Sequence, residues 1–98
     1  MIQVNVTYSF TDNEKRDAFL KAIADNDIRA KTYAENGCFA YDYYIPVGKD
    51  AAVYLMEQWA DADAVSVHST QPHFLLLQEI KAQLVESTEI IKINCEKL

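Results

Sequence analysis

His68 and His73 are the only histidines in the chain, and they stand five residues apart. Pro72 and Phe74 flank the second, and Trp59 lies nine residues before the first. Imidazole exchanges a proton near neutral pH, so the pair is a candidate for a general base and an anchor. A metal reading is weaker. Side chains five apart on one continuous helix point about 140° away from each other. No CxxC or HExxH accompanies them. Gly37 and Gly48 belong to neither a GxGxxG nor a P-loop pattern, so no nucleotide site is visible. Neither a metal nor a cofactor is expected.

The elements that must hold these residues follow from periodicity. Ile2, Val4, Val6 and Tyr8 alternate with polar residues, which is the period of a strand. Thr11 and Glu14 fit a capping box, and Ala18, Phe19, Ala22 and Ile23 recur at helical spacing, predicting a helix from about Asp12 to Asp27. Asn36 and Gly37 turn the chain into CFAYDYYIP, a strand with Phe39, Tyr41, Tyr43 and Ile45 expected on one face. After the VGKDA turn, AVYLMEQW reads as a third strand, with Val53, Leu55, Glu57 and Trp59 facing one way. Asp61 or Asp63 can cap a short helix through Val67, and Thr70 a second with Pro72 in its first turn. TEIIKINC closes the chain as a fourth strand.

This order is the ferredoxin-like βαββαβ pattern, an α+β fold with a four-stranded antiparallel sheet and helices on one face. Residues 1–98 then form one domain. Such a short chain buries only about 60–65% of its unfolded surface. Both faces of its strands carry large apolar groups, so the uncovered face is expected to meet a second copy in a homodimer. Cys38 and Cys95 fall on opposite edge strands, as two reduced thiols rather than a disulfide. The net charge of −6 disfavours nucleic acids and anionic membranes as partners. With no signal peptide and no apolar run near the roughly 20 residues of a bilayer span, cytoplasm is the expected location.

AENGCFAYDYY followed by YLMEQWADADAVSVHSTQPHF resembles the antibiotic biosynthesis monooxygenase family, within it the small quinol-monooxygenase type. The resemblance runs through Glu35, Gly37, Cys38, Tyr41, Glu57, Trp59, Ala64, His68, Pro72, His73 and Phe74. It implies a dimeric α+β barrel with a pocket between sheet and helices. It also implies oxidation of quinols or phenols by dioxygen without metal or flavin. Related members degrade haem or isomerise a small phosphorylated sugar. The haem-degrading branch uses a helical tryptophan about where His68 stands, and this departure argues against haem.

Cofactor-free oxygenation requires a substrate that supplies its own electrons once deprotonated, a base, a dry aromatic wall and a donor for the oxygen species. His68 and His73 are the candidate base and anchor, the latter at a helix start where the dipole favours the neutral ring. Asn5 could donate to bound oxygen, by resemblance to an asparagine on the first strand of the haem-degrading members. Trp59, Tyr41, Tyr43, Phe74 and Glu57 are candidate substrate contacts. Each also has a structural reading: His73 as part of a helix cap with Thr70, His68 as a packing residue, the aromatics as core or interface, and Glu57 as the partner of a cation such as Arg29. Two competing functions stay open. An isomerase for a phosphorylated metabolite would need cations near the pocket, with Arg29, Lys31 and Lys49 as candidates. A non-catalytic binding module would need neither imidazole.

Overall fold

A computed structural model describes residues 1–98. The elements in chain order are β1 (Ile2–Ser9), α1 (Asn13–Asp25), α2 (Ile28–Tyr33), β2 (Cys38–Tyr44), β3 (Ala52–Trp59), α3 (Ala62–His68), α4 (Pro72–Leu84) and β4 (Ser87–Asn94). The strands form one antiparallel sheet in the order β2-β3-β1-β4, the expected ferredoxin-like topology. Cys38 and Cys95 sit toward its opposite edges as free thiols.

Alternation decides what each strand buries. Val4, Val6 and Tyr8 face the helices, and the register sets Glu57, Leu55 and Val53 of β3 beside them. Phe19 and Ile23 of α1, Ile28 of α2 and Leu77 of α4 close the core from above. Trp59, Leu55, Val53, Phe19 and Ile28 are fully buried. Each such side chain contributes about 1.5–3 kcal/mol through its removal from water.

The structure departs from the sequence expectation in four places. The first helix ends at Asp25, because Asp27 adopts a left-handed conformation (φ 52°) and a separate α2 starts after it. Asp12, not Thr11, caps α1 by accepting from the Lys15 amide at 2.8 Å. Gln71, not Thr70, occupies the cap position of α4 without a side-chain bond, while the Thr70 hydroxyl donates backwards to the Val67 carbonyl. A bulge between Cys38 and Ala40 takes Phe39 out of the alternation, leaving it 53% exposed beside a buried Tyr41.

Toward the uncovered face the strands present Asp42 and Tyr44, Tyr54, Met56 and Gln58, Gln3, Asn5 and Thr7, and Ile91 and Ile93. Its centre is therefore polar: Gln58 donates to Gln3 and Gln3 to Asn5. Apolar groups flank that stripe. Every residue of β4 is exposed, since no helix reaches over it.

Candidate functional site

The site is assembled by two turns. After α2 the chain reverses over Glu35–Cys38, closed by the Cys38 amide on the Glu35 carbonyl at 3.2 Å. Gly37 makes this possible with φ +84°, and a Cβ there would meet the Ala64 Cβ of α3 at 3.0 Å. Glu35 is thereby pushed under α3 and α4. The second turn is the break between those helices. The Thr70 amide bonds Val67 and the Gln71 amide bonds His68, so α4 starts afresh at Pro72. The divergence expected of a continuous helix does not apply, and the two imidazoles converge.

They converge on one oxygen. His68 Nδ1 lies 2.6 Å and His73 Nε2 lies 2.8 Å from Glu35 Oε2. All three side chains are at least about nine-tenths buried. A carboxylate only accepts, so the facing nitrogens carry the protons. Each neutral ring then keeps its lone pair on the far nitrogen, His68 Nε2 or His73 Nδ1, and neither makes a hydrogen bond within the protein. Burial lowers the pKa of His68 below its ordinary value, against the opposing pull of the Glu35 carboxylate.

Glu35, His68 and His73 also offer one ligand atom each within 4.8 Å. Ligands sharing an ion at about 2.0–2.1 Å in a tetrahedron stand about 3.3 Å apart. The contacts at 2.6 and 2.8 Å are shorter and have hydrogen-bond geometry. As arranged, the cluster shares protons. The second Glu35 oxygen, Oε1, is buried without a partner.

Aromatic groups wall the cluster. The ring centre of His68 is 4.8 Å from that of Trp59, 5.0 Å from Phe74 and 5.8 Å from Tyr41. The Tyr43 hydroxyl donates to that of Tyr41, and Trp59 Nε1 donates to Glu57 at 3.0 Å. Burial raises both tyrosine pKa values and keeps the phenols protonated. Burial also pushes Glu57 up to about 7, with the Trp59 bond and the Lys92 and Lys81 charges opposing.

His68, His73, Trp59, Tyr41, Tyr43, Phe74 and Glu57 thus form one connected patch on the helix side of the sheet. Asn5 does not join it, because it points from the opposite face. Arg29 does not pair with Glu57; it bonds Asp42 at 2.6 Å. Lys31 and Lys49 are exposed. The open chamber expected beneath the helices is filled by packed side chains. The only grooves run along β4 and the C-terminal residues, and none is lined by a histidine. Glu35 carries part of the family resemblance, in the Glu-x-Gly-Cys turn that enters β2, but is not among the candidate site residues read from the sequence.

The family model for antibiotic biosynthesis monooxygenases matches residues 1–80. None of the curated proteins matches the chain. Among solved structures, PA3566 of Pseudomonas aeruginosa aligns with a TM-score of 0.80 at 23% identity, covering 98% of this chain and 94% of its own. Rv0793 of Mycobacterium tuberculosis aligns with a TM-score of 0.84 at 22% identity, covering 99% and 96%. A Bacteroides thetaiotaomicron protein described as a possible oxidoreductase aligns with a TM-score of 0.83 at 24% identity, covering 94% of each chain. Likenesses at these identities establish the fold.

Proposed function

We propose that this chain, which belongs to the antibiotic biosynthesis monooxygenase family, is a cofactor-independent monooxygenase of quinols or phenols. One observation carries the reading: two buried imidazoles share a carboxylate oxygen, and each leaves its outer nitrogen free to take a proton. That is the arrangement of an oriented general base. Trp59, Tyr41 and Phe74 supply an aromatic wall around it.

In the proposed reaction an imidazole lone pair accepts the phenolic proton. The phenolate then gives its electrons to dioxygen. One oxygen atom becomes a new carbonyl on the ring. The other leaves as water with the displaced ring hydrogen and the phenolic proton, so a phenol plus dioxygen gives a quinone plus water. Glu35 holds both rings in the tautomer this needs.

We further propose that a second copy covers the open sheet face, where Tyr44, Ile91 and Ile93 are 51%, 51% and 43% exposed. The test of function is oxygen uptake with a panel of quinols and naphthols, with 18O2 labelling of products. Uptake with one labelled oxygen in the product is expected. No uptake across the panel would remove the oxygenase reading.

A further inference from the structure

Glu57 is an acid placed where the sheet otherwise buries apolar groups. It stands between Val4 of β1 and Tyr41 of β2 and is 9% exposed. One donor reaches it, Trp59 Nε1 at 3.0 Å, and no lysine or arginine comes within 4.0 Å. The titratable groups that face it are Tyr8 of β1, Cys38, Tyr41 and Tyr43 of β2, Lys81 of α4, Lys92 of β4 and Glu35 of the turn before β2. Burial raises the pKa of the three phenols and the Cys38 thiol, so these stay protonated at neutral pH. Glu57 itself changes charge there, its pKa pushed up to about 7 by burial. A neutral side chain would satisfy the indole as well, since glutamine offers the same acceptor oxygen. What the carboxyl adds is a charge.

The indole leads from that charge to the imidazoles. Trp59 is fully buried, and its ring centre lies 4.8 Å from that of His68 at an interplanar angle of 35°. His68 in turn bonds Glu35. Tyr41 also adjoins both Glu57 and His68, but its hydroxyl is engaged with that of Tyr43. A hydrogen bond to a carboxylate is about twice as strong as one to a neutral carboxyl, and it polarises the donor ring further. A more electron-rich indole stabilises positive charge on the ring beside it.

We propose that Glu57 is a positioning residue for the histidine site: its ionisation tightens the Trp59 N–H bond and, through the indole, makes His68 a stronger base. This is regulation of that same site, and it rests on the reading of His68 as a base. Coupling of this kind is reciprocal, so a proton on His68 favours the Glu57 anion in return.

The test is a pH titration of the free protein, followed by NMR of the imidazole nitrogens and by tryptophan emission. The chain has two histidines and one tryptophan, so each signal is assignable. In wild type, His68 is expected to show an inflection near pH 7, coincident with a step in Trp59 emission and separate from its own titration below 6.5. Glu57→Gln should lose that inflection in both signals. Trp59→Phe keeps the carboxyl without the N–H and should lose it at His68; this variant decides the matter should Glu57→Gln fail to fold. A wild-type His68 with no inflection near pH 7, or an inflection that survives in either variant, would overturn the proposal. Neither substrate nor oxygen is needed, so the two readings separate. Coupling without turnover of any phenol defeats only the oxygenase, and turnover without coupling defeats only the Glu57 assignment.

Discussion

Glu35 Oε2 fixes which nitrogen of each imidazole holds the proton, and so which one would face substrate in the proposed reaction. Glu35→Ala is therefore expected to cost activity although Glu35 need not touch substrate, lowering kcat/KM about 10-fold or more. Steady-state kinetics beside a thermal melt would distinguish this from misfolding. The pH behaviour has a definite sign. His68 must be neutral to act as base, and its folded pKa lies below the ordinary 6.5. The acid limb of kcat/KM should then have its midpoint below 6.5. Glu57 acts on stability in the opposite sense. Its folded pKa of about 7 exceeds the ordinary 4.5, so the folded state holds an extra proton between these values. Its contribution is complete below pH 4.5 and is lost as pH rises through 7. Denaturant titrations should show wild type losing up to about 3 kcal/mol relative to Glu57→Gln over that window. Of this cluster, the histidines were legible from residue type and spacing. Glu35 was named only through the family motif, and its pairing with them was not legible, because 33 and 38 residues separate it from its partners and only the fold closes that distance.

The turn at Gly37 carries the site at the level of elements. A Cβ there would press on Ala64 of α3 while forcing an L-residue to φ +84°. Gly37→Ala is expected to destabilise the protein by about 1–3 kcal/mol and to loosen Glu35 from the imidazoles. A melt and an activity assay on the same sample would show both. The strands and main helices were readable because alternation and helical spacing report directly on burial. The break after Asp25 was not, since it depends on one left-handed Asp27 within a segment of continuous helical character. The Phe39 bulge was hidden for a similar reason: an extra residue leaves local composition unchanged while shifting which side chains face the core. The break between α3 and α4 was readable from Thr70 and Pro72, but the convergence of His68 and His73 across it was not, because it depends on how Ser69–Gln71 redirects the chain.

For the whole molecule, the sheet is covered on one side and bare on the other. Its bare face has a polar centre of Gln3, Asn5 and Gln58 between Tyr44 and Tyr54 on one flank and Ile91 and Ile93 on the other. A dimer across this face is expected by light scattering, and Ile91→Lys/Ile93→Lys should shift it to monomer at micromolar concentration while helix content is retained. A wild-type monomer would contradict that assembly. The topology could be derived from element order; the polar stripe appeared only once register placed Gln3, Asn5 and Thr7 together. The activity of the whole molecule is proposed to come from the paired imidazoles under the helices, which drive the reaction with oxygen. Its most direct test is kcat/KM for oxygen-dependent oxidation of the best quinol or phenol by wild type, His68→Ala and His73→Ala. A loss of about 10²-fold or more is expected in at least one variant, with folding intact. Wild-type rates in both variants would contradict it.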